Sequence, residues 1–236
     1  MNIAVMLAGG TGERMGAGRP KQYLEIGSKP LIVHCLEIFQ KSPNIDAIEI
    51  VSHVDWIEHV WELAKKFNIT KLKWICEGGC SCQESTRNGI FNLKGKIDDD
   101  DLLMFVMSSS PFVTEEIIED SIKVCRQYGS AFACMQSKYN LAYTEDNISS
   151  SMINFKEKNK TINMPWTSSF GEFYASYKKA YDEGIETYSY SYVPTLWLAL
   201  GKKIYFSLDS TKNMLHATYK DDLEIFEAVL KLENRL

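Results

Sequence analysis

The sequence lacks long apolar runs and has no strong excess of charge of either sign. No apolar run reaches the length that a transmembrane helix requires, and the first residues lack the order of a signal peptide. The net charge of −5 gives no bulk attraction to nucleic acid or to acidic membranes. We therefore expect a cytoplasmic protein that binds neither, in which any anion site is a local cluster of cations and backbone N–H groups.

Cysteines at metal-binding spacing are also lacking. The six cysteines include no CxxC unit, and no histidine lies near the cluster formed by Cys76, Cys80 and Cys82. Disulfide frameworks are typical of small secreted domains, which this pattern does not resemble. We therefore expect reduced thiols in place of a zinc site or a set of disulfides.

Short apolar runs alternate with helical patterns along most of the chain. Its 236 residues, 45% of them hydrophobic, suit one α/β domain over 1–236. The alternation predicts βαβ units, a mostly parallel sheet and a Rossmann-like three-layer α/β/α sandwich. Strands are predicted at 3–7, 45–51, 72–75, 102–107, 129–135 and 203–208, and helices at 31–39, 56–67, 81–93, 115–128, 170–183 and 221–236. Residues 137–165 lose the apolar rhythm, which predicts an inserted, protruding arm.

A glycine-rich loop with two cations follows the first predicted strand. Gly9, Gly10 and Gly12 allow a close approach of the backbone to an anion, and Arg14 and Lys21 add positive charge. The loop lies at the carboxyl end of its strand, where open α/β sheets bind their ligands. It is neither a Walker loop nor a GxGxxG fingerprint, because the required residues are missing. The loop and its cations together predict a phosphate site.

This loop and its continuation resemble a known family. Residues 7–16 read LAGGTGERMG, residues 20–24 read PKQYL, and residues 27–34 read GSKPLIVH. They resemble the opening of the cytidylyltransferases that act on methylerythritol phosphate or ribitol phosphate. The resemblance implies a nucleotide-diphospho-sugar transferase fold, CTP as a substrate, and catalytic roles for Arg14 and Lys21 in stabilising the transferring phosphoryl group. The nucleotide-binding residues that it implies here are Leu7, Ala8, Gly9, Gly10, Thr11 and Gly12.

A second segment resembles the element of this family that closes around cytosine and ribose. Residues 78–89 read GGCSCQESTRNG, in which Gly79, Gln83 and Ser85 match and are predicted to bind the nucleotide. Cys82 stands where the family has an arginine. A transferase with a different base preference therefore stays open.

The strand end that holds the metal in this family is altered. The family's HDAxRPF aligns with residues 106–112, VMSSSPF, so that Met107 takes the place of the aspartate and Ser110 that of the arginine. A thioether is a poor ligand for Mg²⁺, which prefers oxygen. Mg²⁺ is therefore expected from the family alone. Asp209 is the candidate replacement ligand, because the family offers a second aspartate near that position.

The elements that bind the acceptor in this family are also altered. The family's TPQxF appears as TSSF at 167–170, and the arginine expected eight residues earlier falls on Asn159. Alignment on 222–223 places a histidine at the lysine that grips the acceptor phosphate, although Asn213 would shift the register by one. The acceptor-binding residues that we predict are Lys158, Lys160, Thr167 and His216.

The retained and altered residues leave two functions open. The first is a cytidylyltransferase that transfers CMP from CTP to a polyol phosphate or a similar acceptor, as in isoprenoid biosynthesis or CDP-polyol synthesis, and releases pyrophosphate. The second is a catalytically silent nucleotide-binding or interaction protein of the same descent, because phosphoryl transfer without a metal loses most of its rate. Relatives dimerise through the arm, so the resemblance also implies a homodimer.

Overall fold

The apolar runs of the chain form the strands of a central sheet, flanked by helices. The structure, a computed structural model, describes residues 1–10, 18–185, 193–217 and 221–236. Its strands are β1 (Asn2–Ala8), β2 (Glu25–Ile26), β3 (Lys29–Pro30), β4 (Ala47–Ser52), β5 (Leu72–Glu77), β6 (Leu102–Met107), β7 (Ser130–Gln136), β8 (Leu141–Tyr143), β9 (Met152–Asn154), β10 (Lys160–Ser169) and β11 (Phe206–Leu208). Its helices are α1 (Leu31–Lys41), α2 (Ile57–Lys66), α3 (Cys82–Asn92), α4 (Glu115–Tyr128), α5 (Phe170–Asp182), α6 (Val193–Ala199) and α7 (Asp221–Leu232).

The central sheet has seven strands in the order β11-β7-β10-β6-β1-β4-β5. The pairs β1–β4, β1–β6, β4–β5 and β7–β11 are parallel, and β10 is antiparallel to both of its neighbours. The carboxyl ends of the parallel strands therefore meet at one edge, together with the first residues of β10. This edge positions the candidate site.

Both faces of the sheet are covered, because alternate side chains of its strands point to opposite sides. One buried cluster joins the sheet to α1, α2, α4 and α7, and the other joins it to α3, α5 and α6. Val5 and Phe105 lie in the second cluster, while their neighbours Met6 and Val106 lie in the first. The predicted three-layer α/β/α sandwich with a mostly parallel sheet is confirmed.

The region predicted as an arm divides into two parts. Strands β8 and β9 form an antiparallel hairpin with exposed side chains, as expected of a protruding segment. The following strand, β10, instead runs between β6 and β7 inside the sheet. The predicted arm of 137–165 therefore extends too far, because its last residues begin a sheet strand.

Among the described residues, none of the helices has the length and apolar character needed to cross a membrane.

Candidate functional site

Two glycine loops meet at the carboxyl edge of the sheet. A Cβ added to Gly78, after β5, would lie 3.6 Å from the Cα of Gly9, after β1. The same Cβ would lie 3.2 Å from Ser85 Oγ, so the two backbones and the first turn of α3 are in close contact. Glycine at both positions allows this approach. The structure therefore brings together Gly9, Gly79 and Ser85, which were predicted from separate motifs.

The first loop is anchored by a buried amide that was not among the predicted site residues. Gln22, with 1% of its surface exposed, donates from Nε2 to the carbonyl oxygens of Ala8 and Gly10 at 2.7 and 3.0 Å. These bonds fix the backbone on both sides of Gly9. Of the other predicted loop residues, Leu7 lies in β1, while Thr11, Gly12 and Arg14 fall outside the described residues.

The second loop is closed by hydrogen bonds at the start of α3. The Gly79 N–H donates to Ser85 Oγ at 3.0 Å, and Ser81 Oγ caps the helix by accepting from the Glu84 N–H at 3.0 Å. Glu84 in turn accepts from the Cys80 N–H at 2.8 Å. A Cβ on Gly79 would overlap the Glu84 side chain, so only glycine fits this loop. Glycine and capping residues thus shape the loop that borders the site.

Gln83 and Cys82 lie in the first turn of α3, where Gln83 is buried and Cys82 is half-buried. Gln83 is 4% exposed, and its Oε1 accepts a hydrogen bond of 2.8 Å from the Tyr177 hydroxyl. Burial raises the pKa of the Cys82 thiol, which is therefore a neutral group at ordinary pH. Nucleotide binding by Gln83 stays a prediction. Its hydrogen bond with Tyr177 also connects α3 to α5.

Lys21 lies on a short 3-10 turn (Lys21–Tyr23) that is firmly attached to the protein. Beside Gln22, Tyr23 is buried, stacks on Trp56 with ring centroids 4.3 Å apart, and lies 3.2 Å from Ser52 Oγ through its hydroxyl. The ammonium Nζ of Lys21 donates to the carbonyl oxygen of Ala217 at 2.6 Å. Lys21 is therefore a fixed positive charge, and it adjoins Gln22, which binds the first glycine loop.

The altered strand end after β6 lies next to β1. Met107 is paired in register with Leu7, and the Ser108 N–H donates to the Leu7 carbonyl oxygen at 3.2 Å. The serines that follow are buried, and the Ser110 hydroxyl donates to the Asn213 carbonyl oxygen at 3.1 Å. The strand end is thus connected to the segment after β11.

That segment forms a buried network of amides and a carboxylate together with Asn163 of β10. Asn163 Nδ2, on β10, lies 3.1 Å from Asp209 Oδ2 and 3.0 Å from the Asn213 carbonyl oxygen. Asn213 Nδ2 donates to Asp209 Oδ1 at 2.7 Å, and the Ser210 N–H donates to the same oxygen at 2.8 Å. His216 Nε2 lies 3.0 Å from Asn163 Oδ1. The network links β10 to the residue that precedes Ala217.

Asp209 does not fit a magnesium ligand. It is 8% exposed, and both of its oxygens accept hydrogen bonds from the network. Mg²⁺ prefers several oxygen ligands at short distances and retains water. Across the described ranges, no group of three or more His, Cys, Asp or Glu side chains is placed to hold a metal ion. The residues that the structure describes therefore do not form a protein-held magnesium site.

The predicted acceptor residues do not lie together. Thr167 is fully buried in β10, and its hydroxyl lies 2.8 Å from Ser121 Oγ, so it is unavailable to a ligand. This corrects the prediction for Thr167. Lys158 is exposed on a 3-10 turn, and Lys160 is exposed at the start of β10, beside the end of β7. Only His216 belongs to the network next to Lys21.

Comparison with known proteins supports the resemblance over the full length. The sequence model of the family described as IspD: 2-C-methyl-D-erythritol 4-phosphate cytidylyltransferase matches residues 2–232. The chain is 30% identical over 231 residues to a ribitol-5-phosphate cytidylyltransferase from Lacticaseibacillus paracasei, with 98% of each chain covered. It is also 30% identical over 233 residues to a 2-C-methyl-D-erythritol 4-phosphate cytidylyltransferase from Clostridium acetobutylicum, again over 98% of each.

The fold itself is similar to that of solved structures. The chain superposes on 4-diphosphocytidyl-2C-methyl-D-erythritol synthase from Anaerococcus prevotii with a TM-score of 0.79, covering 98% of both chains at 18% identity. At that identity the likeness concerns the fold alone. Neither the fold nor the relatives support the alternative of a catalytically silent protein.

Proposed function

Because the chain belongs to the 2-C-methyl-D-erythritol 4-phosphate cytidylyltransferase family, we propose that it transfers CMP from CTP to a polyol phosphate. The single observation that supports this best is the meeting of the two glycine loops at the carboxyl edge of the sheet, where Gln22, the neighbour of Lys21, binds the first of them. Backbone N–H groups and a fixed ammonium suit the triphosphate of a nucleotide.

In the proposed reaction an oxygen of the acceptor phosphate attacks the α-phosphorus of CTP in line. The bond from the α-phosphorus to the bridging oxygen breaks, and pyrophosphate leaves with that oxygen. Lys21 stabilises the charge that develops on the phosphoryl oxygens. The loop residues Leu7 to Gly12 and Gly79 and Ser85 hold the nucleotide, and Arg14 is proposed to assist Lys21.

We propose ribitol 5-phosphate as the first acceptor to test and 2-C-methyl-D-erythritol 4-phosphate as the second. The relatives cited above carry both names at equal identity over the full length, and shorter matches of 36–38% identity also divide between them. Pyrophosphate release with each acceptor, and with CTP, UTP, ATP and GTP in turn, identifies both substrates. Turnover with neither acceptor, under conditions where CTP binds, would contradict the proposal.

Lys21→Ala tests the catalytic assignment. We expect kcat/KM to fall at least about a hundredfold, because a charge-stabilising donor is worth about 3 kcal/mol or more. Lys65→Ala, at an exposed lysine on α2, is the matched control and is expected to keep the rate. An unchanged rate in Lys21→Ala would contradict the assignment.

Mg²⁺ stays a prediction for this chain. Because the described residues lack a suitable set of ligands, we propose that the ion enters with the triphosphate and is not held by the protein beforehand. Calorimetric titration of Mg²⁺ into the protein, with and without CTP, tests this. Tight binding of Mg²⁺ to the protein in the absence of CTP would contradict it.

We further propose that the hairpin of β8 and β9 joins two copies of the chain. Exposed apolar side chains concentrate there, which is unusual for a surface that stays in water. They are Tyr139, Leu141, Tyr143, Ile148, Met152, Ile153 and Phe155. Light scattering should give twice the mass of the chain, and Ile153→Lys should give the single mass. Leu232→Lys, at an exposed leucine of α7, is the control that should stay dimeric.

A further inference from the structure

The side chain of Asn163 connects a buried carboxylate with a buried imidazole. Its Nδ2 lies 3.1 Å from Asp209 Oδ2 and its Oδ1 lies 3.0 Å from His216 Nε2. Asn163 and Asp209 are 7% and 8% exposed, so water does not replace these bonds. Asn163 lies outside the sequence motifs described above.

The hydrogen bonds determine which nitrogen of His216 carries the proton. A carboxylate and the carbonyl oxygen of Asn213 only accept, so the Asn163 atom that contacts both is the NH₂ group. The other atom, Oδ1, is an acceptor and therefore receives its hydrogen bond from His216 Nε2–H. The neutral ring then has its lone pair on Nδ1. Among the described residues, this buried Nδ1 has no hydrogen-bond partner.

The imidazole is adjacent to the contact that fixes Lys21. The next residue, Ala217, is buried, and its carbonyl oxygen accepts from Lys21 Nζ at 2.6 Å. Two charged side chains of the described residues act on the ring, Lys21 from the 3-10 turn and Asp209 from the segment after β11. Burial and then Lys21 lower the pKa of His216, while Asp209 raises it, and the net pKa lies below 6.5.

Protonation of His216 would disturb this arrangement in two ways. It would place a second positive charge beside the ammonium of Lys21, and like charges repel strongly where water is excluded. It would also create an Nδ1–H donor in a buried position without an acceptor among the described residues. Either effect is relieved by a movement of residues 216 and 217, which would remove the carbonyl group from Lys21.

We propose that His216 is a positioning residue for Lys21. As a neutral imidazole joined through Asn163 to Asp209, it holds the Ala217 carbonyl group against the Lys21 ammonium, and its protonation abolishes this contact and slows transfer. The effect on transfer rests on the proposed function, whereas the tautomer of the ring does not.

Nitrogen-15 NMR of the histidine rings tests the tautomer without any turnover. His216→Gln identifies the signals of this ring among the four histidines. We expect protonated Nε2 and unprotonated Nδ1 at pH 8, with a titration midpoint below 6.5. Protonation at Nδ1 in the neutral ring, or a midpoint above 6.5, would overturn the proposal whether or not the protein transfers CMP.

An exchange of two groups, Asn163→Asp with Asp209→Asn, changes the charge beside the ring but retains most hydrogen bonds. The new amide at 209 can donate to the new carboxylate at 163, which still accepts from His216 Nε2–H. Asn213 keeps the Ser110 hydroxyl as a donor to its carbonyl oxygen. A carboxylate in direct contact should raise the pKa of His216. If the pKa of His216 rises by about one, the neutral fraction of its ring falls up to about tenfold at a pH below both midpoints.

The measured quantity is the ratio of kcat at pH 6 to kcat at pH 8, with the same substrates for every variant. The ionisation of the phosphate substrates is then common to all and cancels in the comparison. We expect the ratio to fall several-fold in the exchange variant and to rise toward one in His216→Gln. His34→Gln, which removes another buried imidazole that contacts the Ile26 carbonyl oxygen, should keep the wild-type ratio.

The outcomes separate the two proposals. Absence of turnover in the wild-type protein with every acceptor contradicts the proposed function and leaves the NMR test to decide the state of the ring. Turnover with the same pH ratio in the exchange variant, although its NMR midpoint has moved, would overturn the positioning role. If the exchange variant does not fold by circular dichroism, His216→Gln decides, and an unchanged pH ratio there would overturn the role.

Discussion

Glu49 provides a test of the core, because its carboxyl group is buried and one of its oxygens has no hydrogen-bond partner in the part of the chain that the structure describes. It lies on β4 with no exposed surface, and Oε1 accepts from Asn92 Nδ2 at 2.7 Å. Among the described residues, Oε2 has no hydrogen-bond partner. A Cβ on Gly89 of α3 would lie 3.5 Å from Oε2, so the helix packs directly over this group. Burial raises the pKa of Glu49 from 4.5 to about 8, despite the lowering effects of Asn92 and Lys96.

The raised pKa makes stability depend on pH. The folded protein keeps the proton up to about pH 8, while the unfolded chain releases it near pH 4.5. The free energy of unfolding therefore receives the full contribution of Glu49 below pH 4.5 and loses it progressively as the pH rises to about 8. The two pKa values differ by about 3.5, and at about 1.4 kcal/mol for each unit the loss is at most about 5 kcal/mol. A loss of this size is a large part of the stability of a domain.

Glu49→Gln removes the charge and keeps the shape, so the variant should lose this part of the pH dependence. We expect the free energy of unfolding of Glu49→Gln, minus that of the wild type, to rise by about 2 to 4 kcal/mol between pH 5 and pH 8. Urea denaturation at four pH values measures this difference, and other titrating groups cancel in it. Glu58→Gln, at an exposed glutamate of α2, is the control. A difference that stays constant with pH would refute the reasoning.

Three further predictions concern single side chains. Gln22→Leu should raise the KM for CTP about tenfold, because two loop carbonyl groups lose their donor, and initial rates at varied CTP measure it. Arg87→Met should lower the free energy of unfolding by about 1 to 2 kcal/mol in urea, since its guanidinium lies 4.6 and 4.7 Å from the ring centroids of Phe91 and Tyr181. Met107→Asp should make CTP binding depend more strongly on Mg²⁺ in calorimetry, because it adds an oxygen ligand at the site edge; equal dependence in both proteins would contradict this.

The sequence predicted most strands of the central sheet and most of the helices that cover it, because their apolar patterns follow the periods of two and 3.6 residues. Strand β10 was missed because its buried positions include the polar residues Asn163, Thr167 and Ser168 beside the apolar Met164 and Trp166. Thr167 and Ser168 satisfy their hydroxyl groups with Ser121 and with the Gly129 carbonyl oxygen, partners that lie far away in sequence. Hydrophobic periodicity does not detect a strand of this kind.

The same reason explains which candidate site residues the sequence could offer. Gly9, Gly79 and Lys21 lie in short motifs, so local sequence is enough to select them. The role of Asn163 depends on partners 46 and 53 residues away in the sequence, and no local sequence pattern predicts these contacts. Thr167 was selected by alignment of a weak motif, and only the sheet register places it inside β10.

The buried carboxyl groups of Asp209 and Glu49 predict that the proposed activity is limited on both sides of neutral pH. Asp209 accepts three hydrogen bonds and, through Asn163, fixes the tautomer of His216. Burial and Lys21 lower the pKa of this ring, and its protonation sets the acidic limit. Glu49 lies under the far end of α3, and the first turn of that helix closes the nucleotide loop through Ser85. Ionisation of Glu49 near pH 8 should displace α3 and weaken CTP binding there. Glu49→Gln should therefore retain its affinity for CTP at pH 9. If the wild type and Glu49→Gln lose CTP affinity at pH 9 to the same extent, another group sets the alkaline limit.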